Sequence, residues 1–154
     1  MKKTIDKVNQ FDERDHDTLE LIHRVTHQYR SSLLQDTGEA ARDITHMDGK
    51  VLLYFGRNPG ATLSDLAQHS GRDRAQLTRL IKGLRERGLL EGTADPDDRR
   101  NTRLTLTGDG LAVTSTLKTQ GRQAAKRALE GFSEDEKQTL LQLLQRVSDN
   151  FKSS

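Results

Sequence analysis

Four residues near the start of the chain have the types and spacing of a metal site: His16, Glu20, His23 and His27. Steps of four, three and four place them within about 60° of one another on an α-helix. Histidines at i and i+4 chelate transition metals, and a carboxylate between them adds a ligand. No further ligand closes the set, however. The row also lies roughly 110° from the centre of its helix's apolar stripe, where the wet flank of a dimer helix accounts for it equally well. Asp97 and Asp98 are a second pair able to take a cation, but Arg99 and Arg100 follow them directly, and charge pairing is the simpler account. Enzyme signatures are lacking: there is no nucleophile elbow, phosphate loop or HExxH, and Gly108-x-Gly110 belongs to a helix start. The chain is not expected to be an enzyme.

The densest chemistry is cationic. Residues 72–87 hold Arg72, Arg74, Arg79, Lys82, Arg85 and Arg87 against Asp73 and Glu86, a net charge of +4, whereas residues 1–56 carry −2. Positive charge concentrated on one helix is the footprint of a phosphate-binding surface, although such a face can also be merely solvated. At about 100° per residue, Leu77, Leu80, Ile81 and Leu84 form one side of that helix. Ala75, Arg79 and Lys82 lie nearly opposite, with Arg72 and Gln76 beside them. Arg matches the two acceptors of guanine in the major groove, and Gln the donor and acceptor of adenine. Gln76 also stands where it could serve a cap begun by Asp73.

The elements that must hold these residues follow from periodicity and punctuation. The first eleven residues carry no pattern and are expected to fray. Leu19, Ile22, Thr26, Tyr29 and Leu33 mark one stripe of a long helix from about Asp12, broken at Thr37-Gly38-Glu39. A second helix follows Thr45 and stops at Asn58-Pro59-Gly60. Thr62 with Asp65 reads as a cap opening a short helix that ends at Gly71, and Asp73 is placed to cap the next, which ends at Gly88. Two short helices around a glycine-containing turn make a helix-turn-helix. Leu89 to Ala94, the turn cluster Asp95–Asp98, and Arg103 to Leu106 then read as a two-stranded ribbon with a charged tip. A long helix follows Thr107, and Ser133 with Glu136 opens a last one bearing Leu140, Leu141, Leu144, Val147 and Phe151. Gly49 stands inside the second helix at a cost of about 1 kcal/mol against Ala, which points to close packing or room for a ligand.

Composition bounds the rest. With 154 residues the chain reads as one domain, 32% hydrophobic and 31% charged. That apolar supply is meagre for a compact sphere and suits an elongated or oligomeric helical protein. Zero cysteines exclude disulfides, thiolate metal sites and thiol redox sensing. Val51–Phe55 is the longest apolar run, far short of the roughly 20 residues that span a bilayer, and no secretory leader is visible. A cytoplasmic, soluble protein without a membrane partner is expected.

An ordered set of residues carries a resemblance. Gly60-Ala61-Thr62-Leu63-Ser64-Asp65-Leu66-Ala67, Leu77-Thr78-Arg79-Leu80, Leu84, Gly88-Leu89-Leu90, Asp98-Arg99-Arg100 and Leu106-Thr107-x-x-Gly110 together resemble the MarR family of winged-helix regulators over about residues 44–112. The resemblance implies a mostly helical α+β winged helix-turn-helix. Residues 12–36 and 108–152 would be dimerisation helices, and 45–107 the DNA-binding lobe. It implies a homodimer on double-stranded DNA, with Arg72, Arg74, Ala75, Gln76, Thr78, Arg79 and Lys82 at the recognition helix. In the wing it implies Asp98, Arg99 and Arg100, with Asp98 holding Arg100 for the minor groove. No cofactor is implied; a small-molecule effector is, in a pocket between the first, second and fifth helices. Gly92 departs from the family, which usually has an arginine there, so one phosphate contact is expected to be missing. The function expected is a sequence-specific, effector-responsive repressor on a pseudo-palindromic operator. The alternatives are a winged-helix protein-interaction module, or a metal-responsive regulator using the first-helix histidines.

Overall fold

The computed structural model describes residues 2–35, 41 and 43–153, with the side chains of 13–33, 41 and 43–153. These residues form α1 (Lys2–Gln35), α2 (His46–Arg57), α3 (Leu63–Ser70), α4 (Arg74–Glu86), β1 (Leu90–Ala94), β2 (Thr102–Leu106), α5 (Gly108–Ala128) and α6 (Glu134–Lys152). They make a mostly helical winged helix-turn-helix, the fold class expected. Two compact units are present, Met1–Gln120 and Gly121–Ser154. One boundary needs correction: α1 begins at Lys2, not near Asp12. No Gly or Pro occurs in residues 1–37, so nothing in the chain halts the helix before that end. The expected break at Thr37-Gly38-Glu39 lies outside the described residues.

Reciprocal caps set three helix starts. Thr45 Oγ1 accepts from the Asp48 amide at 3.1 Å while Asp48 Oδ2 accepts from the Thr45 amide at 3.0 Å. Thr62 with Asp65, and Ser133 with Glu136, repeat the arrangement. The Ser133 amide and hydroxyl hold the Glu136 carboxyl below its ordinary value. Gly71 ends α3 in the left-handed conformation at φ 63°, which disfavours any residue with a Cβ. Asp73 occupies the N-cap position of α4 but makes no side-chain cap bond, contrary to expectation. Its ψ is 128°, against 163°, 169° and 162° at Thr45, Thr62 and Ser133, so its backbone departs from the extended geometry that the three bonded caps share.

The core of the first unit gathers Val51, Leu52 and Phe55 from α2, Leu66 from α3, and Leu77, Ile81 and Leu84 from α4. Ala41, Ile44, Leu89, Leu90, Leu104 and Val113 complete it. A methyl on Gly49 would lie 3.3 Å from Leu117 Cδ1, so the glycine lets α5 pack closely on α2. Of close packing and room for a ligand, this spacing supports close packing. β1 and β2 pair antiparallel from Leu90↔Leu106 to Ala94↔Thr102. Residues just before α3 add a third rung, since Leu104 donates to the Ala61 carbonyl and accepts from the Gly60 amide, both at 2.9 Å. The wing is thereby tied to the helix-turn-helix on both flanks of β2.

Apolar side chains stay uncovered elsewhere. On α1, Leu19, Leu21, Val25 and Tyr29 are exposed. In the second unit α6 buries no residue, and Leu141 and Phe151 are 62% and 67% exposed. Among the described residues no helix is long and apolar enough to cross a membrane.

Candidate nucleic-acid interface

α4 packs Leu77, Ile81 and Leu84 inward, because steps of three and four keep them on one side, and exposes Ala75, Gln76, Thr78, Arg79, Lys82 and Arg85. The exposed residues divide into two flanks. Arg74, Thr78, Lys82 and Arg85 line an open groove of about 830 Å³ whose far wall is the wing, with Arg100, Asn101 and Thr102. Gln76 and Arg79 line a shallower groove on the other flank, with Asp48, Asp73 and Arg87. Arg72 belongs to neither. It stands in the turn before α4 and, with Lys50, Arg57 and Tyr54, rims a cavity of about 510 Å³ floored by Val51, Leu66 and Leu77.

Several cations are tied within the chain. The Arg74 guanidinium donates to Ser64 Oγ at 2.9 Å, fastening α4 to α3. The Thr78 hydroxyl donates back to the Arg74 carbonyl at 2.8 Å. Lys82 lies 3.9 Å from Glu86, an exposed pair worth little. Arg87 reaches Asp48 at 3.6 Å and the Asp43 carbonyl at 3.3 Å, anchoring the end of α4 to the start of α2. The side chains of Gln76, Arg79 and Arg85 make no hydrogen bond or ion pair among the described residues, which leaves their polar ends to solvent or a ligand.

The wing tip is built from carboxylates. Asp98 Oδ1 accepts from the Arg100 amide at 3.0 Å and from Arg100 Nε at 3.2 Å, while the Arg100 side chain remains 91% exposed. The guanidinium is held at its root and free at its end. Arg99 is exposed beside it. Asp95 closes the loop by accepting from the Asp97 amide at 3.0 Å and from Arg103 at 3.2 Å. The Asp97 amide, and after it Arg103, hold the Asp95 carboxyl below its ordinary value against an opposing push from burial. Sequence reasoning missed Arg103 and Arg85. Alternation along β2 placed Arg103 on the polar face without naming its partners, and Arg85 entered only as a count of charge.

The histidine row lies along one face of α1. His16 Nε2 stands 3.9 Å from Glu20 Oε1 on an exposed helix face. Among the described residues no group of three or more His, Asp or Glu is placed to hold a metal ion. His16, Glu20, His23 and His27 are all exposed, and among the described residues no second element adds a ligand to them. His46, outside that row, has its Nε2 buried without a hydrogen-bond partner among the described residues. Burial first, then the charges of Arg30, Lys50 and Arg72, lower its pKa from 6.5.

Comparison with known proteins yields consistent matches. The MarR family model matches residues 42–101. The HTH-type transcriptional regulator YybA of Bacillus subtilis (strain 168) is 31% identical over 110 residues, covering 71% of this chain and 73% of that protein. Among solved structures, the transcriptional regulator SlyA superposes with a TM-score of 0.75 at 24% identity, covering 89% of this chain and 95% of SlyA. A mutant MarR from E. coli complexed with operator DNA gives 0.70 at 27% identity, covering 83% and 91%.

Proposed function

The chain belongs to the MarR family of transcriptional regulators, and we propose that it binds a pseudo-palindromic operator as a homodimer and represses nearby genes until an effector releases it. The observation that carries the DNA reading is the pairing of two readers on one lobe: an exposed recognition surface on α4 and an arginine held by Asp98 at the wing tip. The E. coli relative complexed with operator DNA has the same fold. Gln76 and Arg79 are free to meet base edges in the major groove, where Arg suits guanine and Gln adenine. Arg100 suits a narrow, A·T-rich minor groove, whose negative potential is enhanced. Arg72, Arg74, Ala75, Thr78, Lys82 and Arg99 would position the lobe on the backbone.

The exposed apolar residues of α1, and separately those of α6, support the dimer reading, since a second copy of the chain would cover them. Two-fold symmetry then sets half-sites about one helical turn apart. An effector would act by changing the spacing of the two lobes. Work inside the cytoplasm follows from that role.

Selection of genomic fragments by the purified protein, followed by ligand screening for release, tests the reading. Arg79→Ala should cost about 1–3 kcal/mol on the selected site and flatten preference at one base position. Arg100→Ala should weaken chiefly sites with A·T-rich flanks, at one fixed salt concentration. Parental affinity in both folded variants would refute the assignment.

A further inference from the structure

The groove between α4 and the wing is lined by four cations, and three of them have partners within the chain. Arg74 is bonded to Ser64, Lys82 faces Glu86, and Arg100 is held by Asp98. Arg85 is the fourth, and it has no hydrogen-bond or ion-pair partner among the described residues. Its guanidinium instead rests over the bare backbone of Gly92 in β1. A methyl at Gly92 would lie 3.2 Å from both Cζ and Nη2 of Arg85, and 2.6 Å from Thr102 Cγ2. That space is available to the guanidinium only because residue 92 has no side chain.

Geometry says what such a cation would meet. An element in the major groove and another in the adjacent minor groove straddle the sugar-phosphate strand that separates the two grooves. The space between α4 and the wing must therefore face phosphates and not base edges. We infer that Arg85, seated on Gly92, is a phosphate-contacting residue that grips the DNA strand running between the recognition helix and the wing. The inference rests on the DNA-binding reading above. It also places a phosphate contact beside Gly92, where the sequence led us to expect one to be missing. Arg suits this position because its planar fork offers two donors to one phosphate.

Phosphate contacts are read by salt dependence, and no operator is needed to see them. The probe is a mixed-sequence duplex titrated by fluorescence anisotropy between 50 and 200 mM salt, a range over which each phosphate contact changes affinity by about 3.5-fold, from a slope of about −0.9. Arg85→Gln should lower the slope by about 0.9 per chain, so the gap between parent and variant narrows about 3.5-fold for each Arg85 engaged. Arg85→Lys should keep the parental slope, since it keeps the charge. Gly92→Ala, which crowds the guanidinium from its seat, should give a slope between those of the parent and Arg85→Gln. Circular dichroism melting should be the same for the parent and both Arg85 variants, because the Arg85 side chain has no hydrogen-bond or ion-pair partner among the described residues; for Gly92→Ala, whose methyl also crowds Thr102, the slope is read well below its own melting temperature. A parental slope in either Arg85→Gln or Gly92→Ala overturns the proposal. Were the parent itself to bind no duplex at any salt, the DNA-binding reading would fall instead.

Discussion

Asp98 makes an informative perturbation, because removing it has two opposite effects on DNA binding. Its carboxylate repels phosphates, so any neutral replacement raises the local positive potential. At exposed separations of 4–8 Å in water that gain is about 0.5–1 kcal/mol before salt screening. The same carboxylate fixes Arg100 through two bonds to one oxygen, 3.0 Å to the amide and 3.2 Å to Nε. Freeing a long side chain that must be ordered on binding costs about 0.5–1.5 kcal/mol per wing. Asp98→Asn keeps an acceptor oxygen for both bonds while removing the charge, and Asp98→Ala removes both. The difference between the two isolates positioning, at about 1–3 kcal/mol for a dimer with two wings, or about 5- to 150-fold in affinity. The assay is anisotropy on one selected operator at one salt concentration. Asn is expected to bind at least as tightly as the parent, and Ala more weakly than Asn by that factor. Equal affinities for Asn and Ala would refute the positioning role and leave Asp98 as a loop former only.

Two further outcomes follow from the buried groups. His46 is driven toward its neutral form in the folded chain, so between its lowered pKa and 6.5 the unfolded state binds more protons. Stability is full above pH 6.5 and falls below it, and His46→Gln should remove that slope in urea midpoints measured across the window. Asp95 and Glu136, whose carboxyls are held low, lose their contributions only under more acid conditions, below the ordinary values of 3.8 and 4.5, and so do not obscure it. Gly110→Ala should destabilise by about 1–3 kcal/mol in urea unfolding, since the added methyl would fall onto the Leu89 carbonyl oxygen. Helix propensity alone predicts a gain of about 1 kcal/mol, so a stabilised variant would show that the clash is relieved cheaply.

What the sequence disclosed is the part governed by local rules. Thr62 with Asp65, Ser133 with Glu136, and Gly71 are legible because a cap requires a few residue types at fixed spacing. The inward face of α4 is legible because burial imposes a period. Asp73 misled, since its residue type suits a cap but the backbone after Gly71 gives it a ψ of 128°, outside the extended geometry of the bonded caps, and no cap bond forms. The rung between Ala61 and Leu104 joins residues forty-three apart, and no local pattern reports such a pairing. Arg85 and Gly92 illustrate the same limit at the interface: each is ordinary alone, and their relation exists only once α4 lies against β1.

The joints of the lobe bear on how release from DNA would operate. Thr107 Oγ1 donates to the Gly88 carbonyl at 2.6 Å, and it accepts from the Gly110 amide at 3.1 Å. The Thr107 amide reaches the Leu89 carbonyl at 3.2 Å, and the Leu89 amide the Leu84 carbonyl at 2.9 Å. One small knot thus joins the end of α4, both wing strands and the start of α5, and the Ala61–Leu104 rung closes the far side. Gly110, where a methyl would fall onto the Leu89 carbonyl oxygen, lies at its centre. Recognition helix and wing are held in a fixed relation by short bonds that a weakly bound small molecule has little energy to break. Regulation at lower cost would move the whole lobe against its two-fold mate and leave each reader intact. Rigid half-sites one helical turn apart would tolerate little misfit, so on the proposed dimer a modest change in spacing would be enough for release.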